Sequence, residues 1–153
     1  MSNVGFKDGD EVIAGIRSAL GDRLLDLRRP SETRVYFEVD SQDIPETASV
    51  LSDQLEARLQ TASAVDAPRK TEILYHWSFD SIGLVVTVRT RIDRDQPEIE
   101  SITPTCSAAH WIEREMWELM GISFRGHPDM RHLLLQDDWP TGKYPLRRDY
   151  KRE

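Results

Sequence analysis

The chain has 153 residues, 39% of them hydrophobic and 31% charged, with a formal net charge of −7 and one cysteine. That length suits one domain with a proper core. The acidic balance argues against nucleic acid as a main partner, and a lone cysteine excludes a disulfide framework, a zinc ribbon or a bound iron–sulfur cluster.

No run of about 18 apolar residues is present, so no membrane span is expected. The opening "MSNVGFKDGDEV" lacks the basic and apolar regions of a secretory leader, which points to a reducing, cytoplasmic setting. "GDEVIAGIRSALGD" reads as a helix, with Asp10 placed to cap it and Gly21 to end it. Val12, Ile13, Ile16, Ala19 and Leu20 share one face. "TRVYFEVD" alternates, Val35, Phe37 and Val39 against Arg34, Tyr36 and Glu38, as a half-buried strand does. "DIPETASVLSDQLEARL" reads as a second helix, with Asp43 and Glu46 in a capping-box pattern and an apolar stripe of Ile44, Ala48, Leu51, Leu55 and Leu59. "TASAV" suits a short strand. "TEILYHWSF" and "GLVVTVRTRI" are rich in β-branched and aromatic residues, and "DSIG" joins them as a hairpin. "CSAAHWIEREMWELMG" is a third helix, closed by Gly121.

This order predicts an α+β core over residues 1–121, with helices packed on a small antiparallel or mixed sheet. After Gly121 regularity stops. Pro128, Pro140 and Pro145 interrupt any longer element, and Leu133–Gln136 has room for one helical turn. Residues 122–153 therefore read as an extended irregular tail. Phe124, Met130, Leu133, Leu134, Leu135, Trp139, Tyr144, Leu146 and Tyr150 are not the composition of a free linker. They need an apolar surface to lie on, so the tail reads as a partner-binding segment. Its end is basic: Lys143, Arg147, Arg148, Lys151 and Arg152 against Asp149 and Glu153. That suits either a solvated end or docking on an acidic protein surface.

The candidate chemistry is sparse. His127, Asp129 and His132 are ligand-capable, which keeps a free-standing metal-dependent enzyme as one reading. Pro128 splits the set, and a hydrogen-bonded histidine turn is the other reading. Glu113 and Glu115 do not face the same way on a helical wheel. Glu115 falls inside the apolar face, with Arg114 and Glu118 on the wet side. A carboxylate in an apolar face needs a cation, and Arg131, Arg147 and Arg148 are the candidates. On this reading Glu115 anchors the tail. Trp139 has the makings of an aromatic anchor for a partner's pocket, and Arg147 of a fork onto Glu115 or onto an acid across an interface. Cys106, His76 and His110 read as ordinary packing residues. No G-x-S-x-G, G-x-G-x-x-G or P-loop spacing occurs.

The stretch "WIEREMWELMGISFRGHPDMRHLLLQDDWPTGKYPLRRDY" resembles the signature of the 30 kDa subunit family of respiratory complex I, the NADH-quinone oxidoreductases. The residues that carry the likeness are Glu113-Arg114-Glu115, Gly121, Phe124, His127-Pro128-Asp129, Arg131, Asp138-Trp139 and Pro145-Leu146-Arg147-Arg148-Asp149. Glu118, where complex I members usually carry Asp, and the longer "DWPTGKYPLRRD" are more similar to the homologous domain of membrane-bound nickel–iron hydrogenases of the formate hydrogenlyase type. The resemblance implies a non-catalytic assembly subunit with no catalytic, cofactor-binding or metal-binding residue on this chain. It implies a place on the cytoplasmic, peripheral side of a membrane-bound oxidoreductase. The motif residues would bind the large subunit, of the quinone-site or the nickel–iron type, beside an iron–sulfur subunit. No nucleic acid is implied, and the membrane is met only through the complex. An adaptor that uses its tail outside any redox complex is the remaining alternative.

Overall fold

The structure, a computed structural model, describes residues 5–152; Met1–Val4, where the leader was sought, and Glu153 of the basic end lie outside the described residues. Helix α1 spans Gly9–Leu20. Asp8, not Asp10, caps it: an Asp8 carboxylate oxygen accepts the N–H groups of Asp10 and Glu11, each at 3.0 Å. Asp10 lies two residues on, within the first turn, and pairs with Arg29. Strand β1 (Leu25–Ser31) was not anticipated. It carries Arg28, Arg29 and Pro30, and at the rim of a sheet a proline leaves no ladder bond unmade. Asp26 at φ 44° and two register shifts make the strand irregular. In β2 (Arg34–Glu38) Val35 and Phe37 are buried, as the alternation requires.

Helix α2 is shorter than its apolar stripe suggested, Ile44–Ser49. A single π turn, Val50–Gln54, follows it, with the Leu55 N–H reaching the Val50 carbonyl at 2.9 Å. Glu56 then takes a left-handed φ of 56°, and β3 begins (Arg58–Asp66). Leu59 is buried, but on a strand opposite Trp77. The Asp43 side chain accepts no helix N–H; its carboxylate lies 3.5 Å from Arg23, and its backbone carbonyl takes the Thr47 hydroxyl.

Strands β4 (Lys70–Phe79) and β5 (Leu84–Asp93) form the expected hairpin, turning through Gly83 at φ 63°. The sheet order is β1-β2-β5-β4-β3, antiparallel throughout except for the parallel pair β2–β5. The fold is thus α+β on a mixed sheet. Ile73, Tyr75, Trp77 and Phe79 alternate with Leu84, Val86, Val88 and Ile92 on one buried face. The helices cover that face: Phe6, just before α1, meets Phe79 edge-on at 5.6 Å, and Thr47 and Ala48 of α2 lie beside Tyr75 and Trp77. The other face keeps Tyr36, Leu74, Val85 and Arg89 half-buried.

Helix α3 spans Ala109–Met120 and ends at Gly121, φ 75°. It is framed by two strands too short to be legible in sequence, β6 (Glu98–Glu100) and β7 (Ser123–Arg125), which pair in parallel. Ile122 and Phe124 are buried in the same core. From Gly126 on, no helix or strand forms among the described residues, and Leu133, Leu134 and Leu135 make a bend, not a helical turn. Beyond Phe124 no described residue is fully buried.

Candidate functional site

Part of the motif meets α3, through His127, Arg131 and Leu146, but not as the helical wheel suggested. Glu113, Arg114 and Glu118 are all buried, 0%, 6% and 2% exposed, whereas Glu115 is exposed. The side taken as wet is the one that other parts of the chain cover. Glu115 is therefore a solvent-exposed carboxylate at the edge of the apolar face, not a buried one, and none of the three candidate arginines pairs with it. Arg131 pairs with Asp129 at 3.0 Å. Arg147 lies 3.4 Å from Asp149 and donates to the Arg94 carbonyl at 3.4 Å. Arg148 contributes its backbone N–H, which donates to Asp66 at 2.9 Å.

Each buried charge on α3 is spent on one stretch of chain. Glu113 accepts from the Ser101 hydroxyl (2.5 Å), the Ile102 N–H (2.8 Å) and the Thr103 hydroxyl (3.1 Å). Burial pushes its carboxyl above the usual range, and these donors offset only part of that. Arg114 donates to the carbonyls of Arg131 (2.9 Å) and His132 (2.6 Å). Glu118 accepts the consecutive N–H groups of Leu133, Leu134 and Leu135 at 3.0, 2.7 and 3.3 Å, with the His132 Nδ1 at 3.1 Å. Burial would push Glu118 up, but the three N–H donors and His132 prevail and hold its carboxyl below the usual range. Successive N–H groups closing on one carboxylate make an anion nest, with the anion supplied by the protein itself.

The His-Pro-Asp turn works in the same structural way. His127 Nε2–H donates to the His110 carbonyl at 2.9 Å, and its Nδ1 accepts the Asp129 N–H at 3.1 Å. The His127 and His110 imidazoles lie 4.7 Å apart, tilted 55° to each other. His132 is turned to Glu118 and lies against Trp117. Both His127 nitrogens are thus occupied, and His127, Asp129 and His132 do not share a ligand position. Among the described residues no group of three or more His, Cys, Asp or Glu is placed to hold a metal ion. Cys106 is half-buried, and burial pushes its thiol up, away from the reactive thiolate.

The last residues are pinned at three further points. The Gly121 Cα faces the Tyr144 ring so closely that a Cβ there would lie 2.6 Å from it. The Leu146 N–H donates to the Leu119 carbonyl at 2.9 Å. Asp66 accepts the Arg148 N–H and two bonds from Arg94, at 2.7 and 3.1 Å. Burial opposes its charge, yet the Arg148 N–H and Arg94 hold its carboxyl below the usual range. Trp139 is half-buried and donates to the Lys143 carbonyl at 2.7 Å, closing the Pro140–Lys143 turn. Pro145 is half-buried, while Asp138 and Asp149 are exposed. Sequence reasoning missed Glu118, Asp66, Arg94, Ser101 and Thr103. Arg114 and Glu118 stand one helical turn apart, the spacing that lets two side chains address one passing segment, and that spacing was the available signal.

Turned outward beside these anchors are Trp111, Leu134 and Leu146, at 66%, 63% and 60% exposed. Among the described residues no helix is long and apolar enough to cross a membrane.

Residues 37–153 match the family described as respiratory-chain NADH dehydrogenase, 30 Kd subunit. The chain is 33% identical over 147 residues to the C subunit of the F(420)H(2) dehydrogenase of Methanosarcina mazei, covering 94% of this chain and 92% of that one. It is 48% identical over 64 residues to formate hydrogenlyase subunit 5 of Escherichia coli, 42% of this chain and 11% of that protein. A chain in the structure of the membrane-bound sulfane sulfur reductase, an archaeal respiratory membrane complex, superposes with a TM-score of 0.80 at 25% identity, over 94% of this chain and 85% of that one.

Proposed function

We propose that this chain, which belongs to the respiratory-chain NADH dehydrogenase 30 kDa subunit family, is a non-catalytic assembly subunit of a complex I-like, membrane-associated oxidoreductase. Its C-terminal segment, from Gly126 on, docks on the large subunit of that complex, of the quinone-site or the nickel–iron type, beside an iron–sulfur subunit. The work of this chain is to bind and orient, and electrons pass through centres on its neighbours.

One observation carries the reading. The segment turns its backbone groups inward, to Arg114, Glu118, Leu119 and Asp66, and leaves two of its apolar side chains, Leu134 and Leu146, outward. Leu134 and Leu146 are more than half exposed, and Trp111 of α3 joins them. A rigid backbone with apolar side chains facing solvent is a surface prepared for a partner, since ordering costs are met before association.

The test is co-purification of the chain with its membrane oxidoreductase, comparing the parent with Leu134→Asp. Leu134 is exposed, so the expected result is an unchanged melting temperature with assembly lost. Assembly of the variant at the parent level would refute the docking role of this segment.

A further inference from the structure

Strand β3 is the last strand of the five-stranded sheet, so one of its edges faces no other strand. Apart from the Thr61 hydroxyl, 3.4 Å from the Ala62 carbonyl, no group meets the outward backbone of residues 59–64 among the described residues. Exposed edges are ordinarily guarded by charge, proline, a bulge or a covering element, because their unpaired N–H and C=O groups recruit other strands. From Leu59 to Val65 the sequence is "LQTASAV", with no charge and no proline. A register shift sits between Leu59 and Thr61, but Thr61 to Asp66 run in regular pairing with β4. The free edge is therefore regular, uncharged and without proline over the five residues Thr61–Val65.

A groove of about 170 Å³ runs beside it, lined by Ala62 and Ala64 of β3, Ile112, Met116 and Leu119 of α3, and Leu146. Glu115 is the one ionisable side chain in that lining. Val65 on the strand is 48% exposed and Leu146 is 60% exposed.

The geometry points to this edge as a strand-addition site. An extended segment of another protein pairs along Thr61–Val65, sends alternate apolar side chains into the groove, and sets a basic residue against Glu115. Main-chain pairing supplies affinity, and the side chains at alternate positions supply selectivity. A second copy of this chain fits poorly. Its own β3 offers only the Ala62 and Ala64 methyl groups to the groove, and it brings a second Glu115 carboxylate to the same side of the joined sheet.

The inference does not rest on the assembly reading, and it is tested without a redox partner. The probe is the peptide acetyl-Lys-Val-Thr-Val-Thr-Val-amide added to the purified full chain, read by amide hydrogen exchange. The expected result is that alternate amides within residues 61–65 slow by about tenfold or more at saturating peptide. The same peptide, N-methylated at alternate residues so that it cannot pair, leaves them unchanged. Glu115→Lys weakens the lysine peptide about threefold, and a peptide with Glu in place of Lys restores binding to that variant. No slowing, or equal slowing by the N-methylated peptide, overturns the site. Slowing that grows with protein concentration in the absence of peptide also overturns it, because a second copy is then the occupant. Pairing without the charge exchange overturns the role given to Glu115. Leu134→Asp leaves this edge intact, so failure of the assembly test and failure of this one are separable.

Discussion

Arg114 and Glu118, one turn apart on α3, hold opposite ends of the peptide groups of a single five-residue stretch. Arg114 donates to the carbonyls of Arg131 and His132, and Glu118 accepts the N–H groups of Leu133, Leu134 and Leu135. A segment without helix or strand obtains through these two side chains the backbone satisfaction that regular structure would otherwise give it.

Glu118→Ala therefore leaves three N–H donors and a histidine without their acceptor. Such bonds are not additive, and breaking a buried, hydrogen-bonded charge network by removing one member costs about 3–5 kcal/mol, the loss expected here. Residues 126–150 should then exchange their amides far faster than in the parent, while β4 and β5 stay protected. Unchanged exchange in residues 126–150 would show that Glu118 does not hold them.

Glu118 and Asp66 are both held below the usual carboxylate range. A carboxyl whose folded value is depressed contributes stability above its unfolded value and loses it as pH falls through the folded one. The C-terminal segment should come loose in acid, below about pH 4, ahead of the sheet. Amide hydrogen exchange of residues 126–150 against pH, beside that of β4 and β5, reads the two events separately. A single coincident transition would contradict the prediction.

Glu113 is shifted the other way, upward by burial. Its folded state binds the proton more tightly than the unfolded chain does, so its contribution is largest in acid and falls as pH rises through the folded value. Glu113→Gln removes that penalty. Measured by urea unfolding at about pH 4 and about pH 8, the variant should gain on the parent with rising pH. A difference that is flat, or that falls, would place the cost elsewhere.

Gly121→Ala combines two penalties. Its φ of 75° disfavours any side chain, and the new Cβ would lie 2.6–2.9 Å from the Tyr144 ring. A loss of about 2 kcal/mol or more is expected, with Leu146 pulled from the Leu119 carbonyl. In the Tyr144→Ala background the same substitution should cost only the conformational part, about 1 kcal/mol. Equal costs in both backgrounds would mean that the ring moves aside freely.

The long strands and α1 were legible because period-2 and helical patterns in them agree with burial, as Val35, Phe37, Val86 and Ile16 illustrate. Leu59 was misplaced because a spacing of four fits a helix face, and a strand residue can be buried at the same position; the left-handed Glu56 decides between them, and nothing in its side chain announces it. The face of α3 that turns inward was the part the helical wheel misplaced. Charge was equated with solvent, but Glu113, Arg114 and Glu118 are buried because their partners are backbone groups, which a sequence does not mark.

The parallel pairing of β2 with β5 joins residues roughly fifty positions apart at the centre of the sheet, Arg34 with Val85 through Glu38 with Arg89. On the ribosome, β2 leaves the exit tunnel long before the strand that completes its pairing has been made. Val35 and Phe37 are thus exposed to the cell during synthesis, and a nascent chain stalled before Leu84 presents an apolar strand that chaperones would hold and proteases would find.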